Sequence, residues 1–481
     1  MKNIFRYVVR GVVLLFLIAL GYAVYFVYWQ VAPIAAGYKS KLLCSAVFVA
    51  GRPGESVLAE ELSPKVNPLL YLVSTEVDQE GKSASATAFG MVTRTAVFRE
   101  GLGCTIVPPG WRKEDLKPAK GYVAVTPEDP EKVPWPTGDL NASGPFPPGI
   151  NAKKLAAAVE DAFAETDSKR PRRTRAVVVV YKGHIIAERY APGFTKDTPQ
   201  HGWSMSKSVT NAMVGILAGE GKINIDAPAP VKEWKTPGDP RSTLTISHLM
   251  RMSSGLDFHT DVSIVGDRQK QLFGAIDVAS SSVAPKLLTP PGTLWEYSNA
   301  NPLTVCKIIR EKLGGGDAYF AFPRTALFNR LGMRSAVIEP DPYGTLIGSS
   351  FTWATPRDWA RLGLLYLNDG VWEGARILPK GWVAYSRTPA PADPMKHYGA
   401  FFWLNADNSK ENVARKKSPP EPPFAELPRD AYFAVGMWDQ KVTIIPSRDL
   451  VVVRMGLTHE DGAFDTGKFV GDILDAIAVR Q

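Results

Sequence analysis

The stretch His201-Gly202-Trp203-Ser204-Met205-Ser206-Lys207, continued by Ser208-Val209-Thr210-Asn211-Ala212-Met213, opens a helix with a serine and a lysine three residues apart. Residues at that spacing share one helix face, so the Ser204 hydroxyl and the Lys207 ammonium can come within hydrogen-bond reach. At a first helical turn, free backbone N–H groups and the helix dipole also favour a developing negative charge. Serine is a weak nucleophile until a base takes its proton. A lysine can be that base if burial or a neighbour depresses its pKa, and a charged lysine can instead make a nearby tyrosine acidic enough to serve as phenolate. Ser-x-x-Lys is expected about once or twice by chance in a chain of this length. Here it occurs once, and small and apolar residues follow it at Val209, Ala212, Met213, Ile216 and Leu217. The alternative is an N-cap serine beside a solvated lysine.

A second feature is Tyr297-Ser298-Asn299, after Pro290-Pro291-Gly292-Thr293-Leu294-Trp295-Glu296. The prolines and glycine make this a loop, where reactive groups often sit. The same Tyr-x-Asn pattern at Tyr366-Leu367-Asn368 falls on an amphipathic helix, where packing accounts for the tyrosine. Other signatures are missing: there is no Gly-x-Ser-x-Gly elbow, no His-Glu-x-x-His and no phosphate loop. The six histidines (184, 201, 248, 259, 397, 459) lack metal-ligand spacing and are read as structural.

In this order and spacing the two motifs resemble those of serine hydrolases of the class C β-lactamase and penicillin-binding-protein family. His248-Leu249-Met250-Arg251-Met252-Ser253-Ser254-Gly255-Leu256, Pro291-Gly292-Thr293 and Asp358-Trp359-Ala360-Arg361-Leu362-Gly363 fit the same pattern, over about residues 150–480. The resemblance implies an α+β fold, an antiparallel sheet flanked by helices plus an all-helical lobe. It implies that Ser204 forms an acyl-enzyme, that Lys207 and Tyr297 exchange protons with it, and that Asn299 holds the site or substrate. It implies no metal and no organic cofactor.

Family members acting on β-lactams or D-alanyl peptides carry a Lys-Thr-Gly strand whose Lys and Thr bind the substrate carboxylate. The matching strand here is Tyr432-Phe433-Ala434-Val435-Gly436-Met437-Trp438, with Ala434 and Val435 in place of the Lys and Thr, and Gly436 retained. Losing that grip removes about 1.5–3 kcal/mol per charge-assisted hydrogen bond. An ester, or an amide without the carboxylate, is therefore the expected substrate. The backbone N–H groups of Ser204 and Met437 can still form an oxyanion hole, although Met437 and Trp438 can also be read as strand packing. The tail Gly436–Gln440 and Ile445–Arg454 looks most like 6-aminohexanoate-dimer hydrolases and related esterases. Asp465-Thr466-Gly467-Lys468 opens the closing helix and is a decoy.

The rest of the 481 residues sets the context. The hydrophobic share of 45% and charged share of 22% are those of a folded protein, long enough for two domains. Gly11–Trp29 holds no charge and is 19 residues long, close to a membrane span, and Lys2, Arg6 and Arg10 precede it. By the positive-inside rule the remainder is exported. A cleavage site within Ala32–Ala36 is the other possibility. An oxidising compartment permits a disulfide, for which Cys44 and Cys104 are the candidate pair; Cys306 is read as a buried thiol. The net charge of +8 is mild. Its one dense run, Lys169 to Arg175, is either a polyanion contact or a solvated linker. No aromatic residue interleaves with it to stack on bases, so nucleic acid is not an expected partner.

The expected organisation is an anchor over 1–30, an N-terminal extension and proline-rich arm over 31–148, and the hydrolase domain over 149–481. In the extension, Leu69–Val73 and Ala86–Thr93 read as strands, and the prolines of 108–148 as a linker or an arm laid over another domain. In the domain, Asn151 caps a helix and Ala176–Tyr181 with His184–Tyr190 forms a hairpin. Helices start near Ser204, Thr245, Asn301 and Thr355. Lys410–Pro428 is a surface loop, three strands follow from Ala431 to Met455, and Gly467–Val479 is a closing helix. Strands at both ends around a helical middle suit one antiparallel sheet with a helical lobe. The expected activity is hydrolysis of a small-molecule ester or linear amide by a protein tethered to the inner membrane and facing the periplasm or the cell exterior. A penicillin-binding carboxypeptidase or β-lactamase is the alternative reading, and a membrane-tethered binding protein without activity the second.

Overall fold

The computed structural model of the protein describes residues 2–116, 129–141, 147–258, 265–415, 422–459 and 462–477. Helix α1 (Lys2–Phe26) runs through a π-helical turn, Val27–Val31, straight into α2 (Ala32–Phe48). The two helices differ in surroundings: the apolar side chains of α1 are exposed, whereas α2 is buried along most of its length. It lies on a four-stranded antiparallel sheet, β1 (Val73–Asp78), β2 (Ser83–Ala88), β3 (Val92–Arg99) and β4 (Gly103–Ile106), paired in that order. Ala84, Ala86, Ala88 and Ala96 are small enough to let the helix sit close. A disulfide joins Cys44 on α2 to Cys104 on β4, with Cα atoms 6.1 Å apart.

Two strand expectations in this region need correction. Leu69–Val73 is a 3-10 turn, Pro68–Leu72, because Asn67 caps it by accepting the Leu69 N–H (3.0 Å) and Pro68 opens it. Ala86–Thr93 is split by a turn in which Phe89 takes a left-handed φ of +55°, so β2 ends at Ala88 and β3 starts at Val92.

The main sheet is built from both ends of the remaining chain. Helix α3 (Ala152–Phe163) follows its Asn151 cap, and then come β5 (Thr174–Tyr181) and β6 (His184–Tyr190). A small sheet holds β7 (Gln200–His201), β8 (Val337–Ile338) and β9 (Thr352–Ala354). The late strands are β10 (Trp403–Leu404), β11 (Tyr432–Gly436), β12 (Gln440–Ile445) and β13 (Leu450–Gly456). The six-stranded antiparallel order is β10-β11-β12-β13-β5-β6, so β13 near the end pairs with β5. Every residue of β5 and β13 is buried, which requires cover on both faces.

The helices that bear on the site and the sheet include α4 (Ser206–Gly219), α5 (Ile246–Met250), α6 (Asp267–Phe273), α7 (Ala300–Lys312), α8 (Pro356–Leu367) and α9 (Thr466–Ala476). α8 packs on the sheet, and its Gly363 faces Val442 and Val451 so closely that a Cβ would come within 2.6 Å of Val451 Cγ1. α3 and α9 pack together, with α3 against β5 and β6.

The extension is clamped to this body by buried polar contacts. Lys41 and Glu339 form an ion pair (2.8 Å) with side chains 1% and 0% exposed, and Glu339 also accepts from Ser45 Oγ (2.7 Å), the Cys104 N–H (2.6 Å) and Trp353 Nε1 (3.1 Å). Arg52 and Arg175 share Glu60 and Glu61. The basic run is therefore not all solvated linker: Lys169 and Arg170 are exposed, while Arg175 is buried in that ion cluster.

In the proline-rich segment, residues 129–141 lie over α8. Arg361 donates to the carbonyls of Pro136 (2.8 Å) and Gly138 (2.6 Å) and stacks on Trp135. Pro145 and Phe146, like His259 and Val479, lie outside the described residues. Lys410–Pro428 is not simply a loop: Lys410–Arg415 is helical, and Phe424 and Leu427 are buried, with Asn405 Nδ2 donating to both their carbonyls (3.0 Å each).

Candidate active site

The turn that presents Ser204 is tight and strained. β7 ends at His201, and at Gly202, the next residue, a Cβ would lie 2.2 Å from Trp359 Cζ2, so no larger residue fits. Trp203 follows with φ +48°, a conformation bulky residues rarely adopt and one that collects at functional sites. Trp203–Met205 form a 3-10 turn leading into α4. Ser206 holds it: its Oγ donates to the Trp203 carbonyl (2.6 Å) and accepts from the Thr352 N–H (2.9 Å) on β9. Ser204 is left half-buried at the wall of a cavity of about 740 Å³.

Lys207 stands one turn further on and is 1% exposed. Its Nζ lies 2.9 Å from Ser204 Oγ, 2.7 Å from Asn299 Oδ1 and 2.9 Å from the Ser349 carbonyl oxygen. Burial drives its pKa well below the ordinary lysine value, and the Arg268 charge lowers it further. A neutral amine has two N–H donors and one lone pair. Asn299 Oδ1 and the Ser349 carbonyl oxygen can only accept, so in the neutral form they would take the two N–H groups and leave the lone pair for the Ser204 hydroxyl. The Tyr297 ring has its centroid 4.8 Å from the same Nζ and packs against Tyr398 (5.9 Å) and Trp403 (5.5 Å). Asn299 directly precedes α7 and sits two residues after Tyr297, so one loop delivers both groups.

The facing wall is β11. Val435, Gly436, Met437 and Trp438 line the cavity, whereas Ala434 is buried away from it. A Cβ on Gly436 would lie 2.1 Å from the Gly202 carbonyl oxygen, so the strand touches the turn carrying Ser204 only because residue 436 has no side chain. Just beyond, Trp438 and Asp439 both have φ +63°, and Asp439 is pinned by Lys441 (2.5 Å). Thus Ser204, Tyr297, Asn299, Gly436 and Met437 line one cavity, and Lys207 is buried behind Ser204 at its wall. Thr466 of the decoy motif instead accepts from Lys441 Nζ (2.7 Å) as α9 begins, and Tyr366 lies buried within the core beside Asn211.

Several contributors left no mark in the sequence. Ser349 acts through its backbone carbonyl, which any residue could supply. Arg268 on α6 brings a positive charge to the cavity that β11 lacks. Ile34, Ala35 and Tyr38 of α2, with Leu69 and Leu70, form part of the wall, so the extension reaches the site. The signal available for that last contribution was the apolar run Leu69–Leu72. Among the described residues no group of three or more His, Cys, Asp or Glu side chains is placed to hold a metal. His201 is a packing group, stacked on Trp353 (4.7 Å) and Phe351 (5.3 Å), with burial pushing its pKa down to about 3.

This chain is 28% identical to the 6-aminohexanoate-dimer hydrolase of Paenarthrobacter ureafaciens over 223 residues, which cover 44% of this chain and 56% of the relative, so little more than half of that protein is matched. A solved structure from Bacillus anthracis, provisionally assigned as a 6-aminohexanoate-dimer hydrolase, superposes with a TM-score of 0.52 at 21% identity, over 67% of this chain and 81% of that one. A class C β-lactamase in complex with cefoxitin does so at a TM-score of 0.51 and 14% identity, over 68% of this chain and 100% of that one. At such identities the structural likenesses establish the fold, a β-lactamase and transpeptidase-like α+β architecture. The Beta-lactamase family model matches residues 159–466, more than half of the chain and the whole span from Ser204 through Tyr297 to Gly436, and the chain belongs to that family.

Proposed function

We propose that this protein is a serine hydrolase of esters or linear amides in which Ser204 is the nucleophile and Lys207 and Tyr297 move the proton. The observation that carries the reading is the 2.9 Å approach of a buried, pKa-depressed Lys207 Nζ to Ser204 Oγ at a cavity wall. Ser204 Oγ attacks the substrate carbonyl carbon as its proton passes to the Lys207 lone pair. The carbonyl electron pair moves onto oxygen, and the N–H groups of Ser204 and Met437 are the donors proposed to hold that oxyanion. Collapse expels the alcohol or amine, which leaves with a proton returned by Lys207 or by the Tyr297 hydroxyl. Water then attacks the acyl-serine, gives its proton to the same groups, and releases the acid while restoring Ser204.

An apolar β11 face argues for substrates without a carboxylate at that point. Arg268 supports a second reading, since a guanidinium in the cavity can receive a carboxylate, as β-lactam and D-alanyl substrates require. The apolar run that starts at Gly11 in α1, exposed and preceded by Lys2, Arg6 and Arg10, supports attachment to the inner membrane with the catalytic body on the periplasmic side. The test is a panel of p-nitrophenyl esters, linear amides and D-alanyl peptides, with a fluorescent penicillin as covalent probe. Ester or amide turnover lost in Ser204→Ala, without penicillin labelling, is the expected result; turnover that survives Ser204→Ala overturns the assignment.

A further inference from the structure

The cavity wall supplied by the extension is continuous with an apolar rim at the foot of α1. The 3-10 turn Pro68–Leu72 exposes Leu69 (37%), Tyr71 (80%) and Leu72 (49%). Lys39 holds the turn against α2 by donating to the carbonyls of Leu70 (3.1 Å) and Val73 (2.5 Å). The β2–β3 turn lies beside it, joined by the Phe89 N–H donating to the Leu72 carbonyl (2.8 Å), and exposes Met91 (45%). This end of the sheet is where α2 begins, since Ala32, Ala35 and Ala36 pack on Val73, Ala86, Ala88 and Val92. α2 continues α1 through a turn that exposes Tyr28 and Trp29, the amphipathic residue types found at membrane–water interfaces, and Arg94 of β3 stands near Tyr28. The rim therefore sits at the level where α1 would leave a bilayer.

The same residues turn inward to the reactive centre. Leu69 lines the Ser204 cavity while remaining exposed, and Leu70, Ile34 and Ala35 line it behind. Leu69, Leu70, Ile34 and Ala35 thus give the cavity an apolar stretch on the side of the extension, while Asp267 and Arg268 supply the charged part of its lining. We propose that the substrate is an amphiphile, an ester or amide of a long acyl chain, drawn past Leu69 from the surface of the membrane that holds the protein. This rests on reading Ser204 as the nucleophile and α1 as the anchor. It goes further by naming the substrate class and its route.

The experiment uses the full chain in phosphatidylcholine and phosphatidylglycerol vesicles, with two probes: soluble p-nitrophenyl butyrate, and 4-methylumbelliferyl palmitate dissolved in the same vesicles. Tyr71→Glu and Leu72→Glu together place charge on the rim at residues that do not line the cavity. The double variant is expected to lose roughly tenfold or more on the palmitate while keeping the butyrate rate within about twofold. Unchanged rates on both probes overturn the proposal, as does an equal fall on both, because the rim then has no separate part in lipid access. A wild-type protein that cleaves butyrate but not palmitate also overturns it and leaves the hydrolase reading standing. If wild type cleaves neither, the hydrolase reading itself fails.

Discussion

Replacing Gly436 by alanine adds one methyl group at the point where β11 meets the turn carrying Ser204. The backbone at Gly436 is extended (φ −126°, ψ 161°), so alanine adopts it without strain and the effect is purely one of contact. The new Cβ would sit 2.1 Å from the Gly202 carbonyl oxygen and 3.1 Å from its carbon, and both atoms are backbone. Restoring van der Waals separation requires the strand and the turn to part by about 1 Å. The turn cannot yield on its far side, because Gly202 is already packed against Trp359 and Trp203 already has φ +48°. Overpacking of this kind costs about 1–3 kcal/mol of stability. A displacement of about 1 Å between nucleophile and oxyanion donors costs on the order of 100-fold in rate. The expected outcome for Gly436→Ala is a folded protein with a modestly lower Tm and kcat/KM on p-nitrophenyl butyrate reduced by roughly 100-fold, mostly in kcat. A variant with both wild-type Tm and wild-type kcat/KM would show that β11 does not press on the Ser204 turn, and the geometric argument would be wrong.

Two further outcomes follow from charges. The Arg268 charge helps depress Lys207, so Arg268→Gln should raise the Lys207 pKa and move the acidic limb of the kcat/KM profile to higher pH, because the amine is competent only above its pKa; Arg268→Lys should leave the limb nearly in place. An unshifted limb in Arg268→Gln removes Lys207 as the group titrating there. Glu339→Ala strands the Lys41 ammonium in a site 1% exposed, which should cost about 3–5 kcal/mol in urea denaturation, with much of it recovered in Lys41→Met/Glu339→Leu. Wild-type stability in Glu339→Ala would mean that the extension is not clamped through this pair.

The main sheet was legible because its strands are dense in β-branched residues, as in Val177–Val180 and Val451–Val453, and because Lys182-Gly183 marks the hairpin turn with positive φ at both positions. The Ser204–Lys207 spacing was legible because three residues along a helix bring two side chains together whatever surrounds them. The extension was opaque for a physical reason. α2 is buried around most of its circumference and mixes Ala, Gly, Ser and Lys, so it shows no apolar stripe, and Lys39 and Lys41, of a residue type that mostly faces solvent, are both buried. Phe89 turns the chain with a left-handed φ that no residue-type rule assigns to phenylalanine. The Ser349 carbonyl could not be foreseen, since a backbone oxygen has no sequence signature. The contact of Leu69 with the Ser204 cavity joins residues more than a hundred positions apart that share no secondary structure.

The central claim is that Ser204 carries the acyl group. Intact-mass spectrometry after rapid quenching of the protein with an excess of an activated long-chain ester, followed by peptide mapping, measures this directly. The account predicts one added acyl mass, located on the peptide containing Ser204 and absent in Ser204→Ala, with slower decay in Tyr297→Phe. An acyl group found on any other residue, or turnover with no covalent adduct under conditions where acylation outruns hydrolysis, would contradict it.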